Sequence, residues 1–181
     1  MIFRTSQILC ICSTLLLLSA CQPPPSGEAV HWKSPYLYWK LKQMELVPPL
    51  SIPVQSINQN QLADTWGAAR SQNRKHEGID IFAKRGTPVL SSTQGIVRKV
   101  GTNNLGGKVI WITGPKLSQH YYAHLDDYAT HIQEGDWVEV GEIIGYVGNT
   151  GNATTTPPHL HYGIYLTDGA TNPYPYLKTE Q

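Results

Sequence analysis

The chain has 181 residues, enough for one domain plus a processed or extended end. Hydrophobic residues make up 40% and charged residues 15%, an ordinary globular balance, and the formal net charge of +1 excludes the electrostatic footprint of a nucleic-acid binder. With 16 Gly, 13 Pro and 10 Tyr against two Phe, turn formers and aromatic residues favour a β-rich fold over a helical bundle.

The N-terminal residues 1–20 read apart from the rest. Arg4 is their only charge, and Ile8 to Ala20 is apolar or small. That run is too short for a comfortable membrane span and suits the core of a signal peptide. It ends in Leu18-Ser19-Ala20-Cys21, followed by Gln22 and three prolines. These four residues resemble the bacterial lipobox, which implies cleavage before Cys21 and lipidation of its thiol. The competing readings are an ordinary secretory signal with an incidental Cys, or a short uncleaved anchor. Cleavage removes Cys10 and Cys12, so Cys21 becomes the only cysteine, with no intramolecular disulfide and no cysteine metal site. With Arg4 gone, the 14 Lys and Arg fall by one and match the 13 Asp and Glu. Stable anchoring needs two acyl chains, at ~0.8 kcal/mol per buried methylene, and a diacylglyceryl group on Cys21 meets that need. Gln22 rather than Asp after the lipidated Cys suggests the outer membrane, facing the periplasm.

Residues 21–50 read as a lipidated tether. Its PPPSGE start is stiff and extended. Ser34 to Leu46 is partly amphipathic: a short helix packed on the domain or a membrane surface, or else a poorly ordered linker. Pro48-Pro49 ends it. Residues 51–177 form the expected globular domain. Short apolar or alternating runs predict strands near 78–83, 87–90, 95–100, 108–113, 119–125, 137–140, 143–147 and 159–166, with Gly-rich breaks between them. The expected fold is all-β, an antiparallel sandwich or barrel-like domain.

Two histidine spacings stand out. His76-Glu-Gly-Ile-Asp80 sets a His and an Asp four apart, and His159-Leu-His161 sets two His two apart, on one face of a strand. Imidazole and carboxylate are both zinc ligands, and three of them with an open position is the usual catalytic arrangement. Either spacing alone is weak and more often a surface pair. Gly78 and the β-branched run around Asp80 argue against a helical HExxH motif, which leaves Glu77 outside the chemistry.

The order of short motifs carries more. It runs TWGAAR (65–70), HEGIDI (76–81), GTPV (86–89), GIV (95–97), YAHL (122–125), GDWV (135–138), GEIIG (141–145), VGNTG (147–151), HLH (159–161) and Asn172-Pro173. This series resembles the M23 family of lysostaphin-like and LytM-like zinc endopeptidases over about residues 51–177. The resemblance implies Zn2+ held by His76, Asp80 and His161, with His124 and His159 as the catalytic pair in undivided roles. It implies hydrolysis of amide bonds in peptidoglycan peptide cross-links. The alternative is a non-catalytic regulator or activator of other wall hydrolases on the same fold. The expected partners are peptidoglycan peptide stems and a membrane reached through Cys21, and the expected state is a monomer.

Departures are modest. Thr156-Pro157-Pro158 precedes HLH where the family usually has Gly-Pro. His120, four before His124, shares its face in a regular strand and is either a groove residue or a satisfied core histidine. His31 and His131 read as tether and loop residues. Arg70 has three readings: site support, substrate contact or structural salt bridge. A carrier-domain reading of 134–145 fails for want of a lysine between Lys116 and Lys178. Open from the sequence are the bond cleaved and whether 31–50 covers the groove.

Overall fold

The computed structural model describes residues 34–179. The signal-like segment, Cys21 and His31 lie outside them. Helix α1 (Pro35–Gln43) decides between the two readings of this segment, short helix and linker, in favour of the helix. The Ser34 hydroxyl accepts from the Leu37 N–H at 3.2 Å, Pro35 opens the first turn, and Lys40 and Lys42 close the last, where cations suit the helix dipole. Leu41 is its buried anchor, while Tyr36 and Trp39 face out. The helix packs on the 115–117 turn, and Lys40 lies over the Trp137 ring at 4.9 Å.

Nine strands form one hydrogen-bonded antiparallel network. They are β1 (Ile79–Phe82), β2 (Pro88–Leu90), β3 (Gly95–Asn103), β4 (Gly107–Thr113), β5 (Gln119–Tyr128), β6 (Trp137–Val138), β7 (Ile143–Val147), β8 (His159–Leu166) and β9 (Gly169–Thr171). The main leaf runs β1-β8-β5-β4-β3-β6, and the paired strands β2 and β7 branch from the far end of β5. Val89, Ile144 and Val147 from that pair share one core with Ile110, Tyr122 and Leu160 of the main leaf, so the sheet closes over itself in a sandwich-like way. β6 ends at Val138, two residues short of expectation, and β9, a small hairpin partner of β8, was not anticipated.

Alternation sorts core from site. Ile79 and Ile81 of β1 and Leu160, Tyr162 and Ile164 of β8 are buried, each worth ~1.5–3 kcal/mol of burial. Asp80, His159 and His161 therefore face the other way. Asp80 pairs with His161 in register, and His161 pairs with Ala123 of β5. A one-residue slip would drive both histidines into the core, so the apolar pattern pins the site's register.

β5 changes partner midway. Residues 119–123 pair with β8 and 125–128 with β7. His124 stands at the break with φ 62, a left-handed conformation that costs a non-Gly residue roughly 1–2 kcal/mol. The break separates His124 from His120, which a regular strand would put on one face. His120 is fully buried, between the Ser118 hydroxyl at Nε2 (2.9 Å) and the Tyr162 hydroxyl at Nδ1 (2.8 Å). It is a satisfied core histidine.

Burial pushes His120 down to about 3. An unfolded histidine titrates near ~6.5, so below that pH the unfolded chain takes up the proton first. The stability this neutral histidine carries is whole above ~6.5 and falls by ~1.4 kcal/mol per pH unit on acidification. Denaturant unfolding of wild type and His120→Gln between about pH 6 and pH 4 checks this, because the wild type should lose stability more steeply than the variant by that slope. A pH-independent gap between them would refute it.

Candidate metal centre and active site

Three ligand atoms converge. His76 Nε2 lies 2.8 Å from His161 Nδ1 and 3.1 Å from Asp80 Oδ1, and His161 Nδ1 lies 3.3 Å from Asp80 Oδ1. Among the described residues, His76, Asp80 and His161 are the one group of His, Cys, Asp or Glu gathered closely enough to hold a metal ion. The donor set fits a divalent cation. His76 Nδ1 donates to the Thr65 carbonyl at 2.7 Å, and a carbonyl only accepts, so Nε2 carries a bare lone pair. That lone pair, a carboxylate oxygen and the second imidazole share at most one proton, on His161 Nδ1. A tetrahedral site with ~2.0–2.2 Å bonds has ligand atoms ~3.3–3.6 Å apart, close to this triangle.

The surroundings lock these atoms. The Thr65 hydroxyl accepts from the Asp80 N–H at 3.0 Å, so one residue orients two ligands. Asp80 splits its oxygens: Oδ1 faces the histidines and Oδ2 takes Arg70 Nη2 at 2.5 Å. Of its three readings, Arg70 is a positioning ion pair at the site. Burial alone would raise the Asp80 carboxyl, but hydrogen bonds to His161 and His76 hold it far below the usual carboxylate range. Burial also pushes His161 down, toward the neutral form a metal needs. Gly78 is required here by close approach: a Cβ would meet His161 Nε2 at 2.8 Å and the Tyr162 carbonyl at 2.6 Å.

His124 and His159 stand beside this triangle, their rings edge to face at 5.0 Å. His124 Nδ1 donates to the Thr150 carbonyl at 2.9 Å and His159 Nδ1 to the Pro157 carbonyl at 2.8 Å. In the neutral ring each therefore has its lone pair at Nε2; that of His159 is 3.9 Å from Asp80 Oδ1. The His124 N–H reaches the Gly106 carbonyl at 2.7 Å. The neighbouring Gly107 has φ 64, and a Cβ there would strike Thr150 Oγ1 at 2.2 Å, so the loops gripping His124 close only around glycine. Burial pushes His124 down to about 4, which keeps it neutral near pH 7.

The profile of Peptidase family M23 matches residues 74–173. The chain belongs to peptidase family M23. That span holds His76, Asp80, His124, His159 and His161, while Thr65 and Arg70 precede it. The M23 chain is 45% identical over 125 residues to an L-Ala–D-Glu endopeptidase of Bacillus subtilis, covering 63% of this chain and 38% of that one. It is 38% identical over 100 residues to a DD-carboxypeptidase/endopeptidase of Neisseria meningitidis, covering 55% and 22%. The solved catalytic domain of lysostaphin from Staphylococcus simulans superposes with a TM-score of 0.60 at 30% identity, covering 67% of this chain and 96% of that domain. The M23 chain thus spans 22–38% of these curated relatives' length.

In this M23 domain the five residues line an open groove of about 1070 Å³. Trp111, Tyr121 and Tyr165 stack along one wall, with Trp111 4.4 Å from Tyr121 and 5.3 Å from Tyr165. Tyr121 was not singled out from sequence. Its hydroxyl accepts from Asn103 Nδ2 at 3.2 Å, and burial raises its pKa, so its own proton is free to donate. Strand parity was the available signal, since Tyr121 and Ala123 alternate with the core residue Tyr122. Glu77 is exposed at the groove rim, outside the His76, Asp80 and His161 group, and strand β1 stands where a helical HExxH motif would need a helix. His131 is a loop residue beside Glu142 at 3.3 Å. Among the described residues 34–50, none lines the groove, so that segment does not cover it.

Proposed function

We propose that the chain is a zinc-dependent endopeptidase that hydrolyses amide bonds in peptidoglycan peptide stems. The observation that carries this reading is the convergence of His76 Nε2, Asp80 Oδ1 and His161 Nδ1 on the groove floor, beside two histidines with free Nε2 lone pairs. Two imidazoles and one carboxylate, with no thiolate, suit zinc. The endopeptidase names of the relatives support the substrate class.

Bound zinc would supply a water of lowered pKa and a polarised scissile carbonyl. The chain does the rest. His124 and His159 are pinned through Nδ1, so each accepts a proton at Nε2 when neutral. One of them takes the proton of the attacking water and passes it to the leaving amine. Neither can donate to the oxyanion before it is protonated, so the donor at that moment is the histidine that has taken the water proton or the Tyr121 hydroxyl. Arg70 and Thr65 hold the ligands in place throughout.

Purified wall incubated with acyl-free protein tests this. Mass spectrometry should find new peptide termini that vanish with a chelator and return with added zinc. A zinc-loaded protein that releases none would sink the enzyme reading and favour the regulator. We also assign the chain to the periplasmic face of the outer membrane through lipid on Cys21, supported by the Leu18–Cys21 run. Cys21→Ser is expected to move the protein from the membrane to the soluble fraction; retention in the membrane would count against the anchor.

A further inference from the structure

We infer that the 69–75 turn forms a carboxylate subsite, with Arg74 as its specificity-determining residue. The inference rests on the peptidase reading of the same groove and names the kind of peptide it prefers: one with a free carboxylate beside the scissile bond.

Charge is distributed unevenly around the groove. Arg70, Arg74 and Lys75 all come from this one turn, while the rim built from 103–106 and 152–157 carries no charged side chain. Arg70 is committed to Asp80. Arg74 is not committed. Its Nη2 makes one long contact, 3.3 Å to the Ser71 hydroxyl, and its buried Nε has no partner among the described residues. That Nε is closed off from the groove, so the terminal Nη pair, held only by the one long contact, is the fork that can meet the two oxygens of a carboxylate.

Placement puts that fork near the chemistry. Arg74 has extended backbone (φ −81, ψ 156) and lies two residues before the ligand His76. Two extended residues span ~6–7 Å and return the side chain to the same side, so the subsite is about one substrate residue from the metal triangle. The turn is tied down: the Arg70 N–H donates to the Arg74 carbonyl at 2.9 Å, and the His76 N–H donates to the Ala68 carbonyl at 2.9 Å. Arg74 is thus presented by a braced hairpin. A neutral glycine bridge offers this fork nothing. An acidic stem peptide, with a free α-carboxylate on its D-glutamyl residue, satisfies it.

The test uses a synthetic stem tetrapeptide, L-Ala-D-Glu-L-Lys-D-Ala, and the same peptide with the glutamyl α-carboxylate amidated. Both are titrated against the full-length protein by calorimetry, and their cleavage is followed separately. Wild type is expected to bind the acid on the order of tenfold tighter than the amide, the contribution of one partly exposed charge-assisted contact. Arg74→Ala should abolish that preference, Arg74→Lys should keep part of it, and both should give wild-type circular dichroism. Equal binding of acid and amide by wild type, or an unchanged preference in Arg74→Ala, overturns the subsite. Cleavage with no acid preference leaves the peptidase reading intact without the subsite. Acid-selective binding through Arg74 with no release of wall fragments by the zinc-loaded protein leaves the subsite and defeats the peptidase reading.

Discussion

His161→Ala is expected to remove both metal retention and hydrolysis, lowering wall digestion on the order of 10³-fold or more. The reason is geometric. His161 Nδ1 closes the triangle with His76 Nε2 at 2.8 Å and Asp80 Oδ1 at 3.3 Å. Without it a His and an Asp remain, too few protein ligands for a catalytic zinc site. The fold should survive, because the side chain faces the groove while Leu160 and Tyr162 on either side keep the core contacts of β8. Zinc content and release of wall fragments, measured on the same folded preparation, check the result. A variant that digests wall at the wild-type rate would end the proposed assignment of His161.

The second large effect separates holding the metal from using it. His124→Asn is expected to lower kcat by ~10²–10⁴, the usual share of a general acid–base group, while zinc content stays at the wild-type level. His124 lies outside the ligand triangle, and its Nε2 is free because Nδ1 is bound to the Thr150 carbonyl. Asparagine is the chosen replacement because it tolerates the left-handed backbone at φ 62, where alanine would add strain. Its shorter side chain offers no basic nitrogen. Loss of zinc together with activity would instead make His124 a structural support of the metal centre.

Much of the fold was legible along the chain. The expected strands 143–147 and 159–166 have the observed bounds, because aliphatic and aromatic residues in those runs bury on a sheet. β9 was missed since Gly169-Ala-Thr171 has no apolar pattern, and only its hairpin with β8 makes it a strand. At the site, spacing alone suggested two weak pairs, and the ordered motifs joined them. The supporting shell was invisible. Thr65, Thr150 and Pro157 act through carbonyl oxygens, which every residue has, so no side-chain type marks them. Arg70 had three readings until Asp80 Oδ2 was found against it.

The sequence by itself determined the β-rich class, the family resemblance and which five residues are candidates for the site. Residue type and order are chemical facts that survive without coordinates. Tertiary structure alone decided three things. It united His76 and Asp80 with His161, because strand register brings together residues more than 80 positions apart. It sent His120 inward and His124 to the groove: strand parity puts both on one face, and only the break where β5 exchanges β8 for β7 turns the second out. It also assigned the protons, because the carbonyls that fix each tautomer are placed by the backbone path.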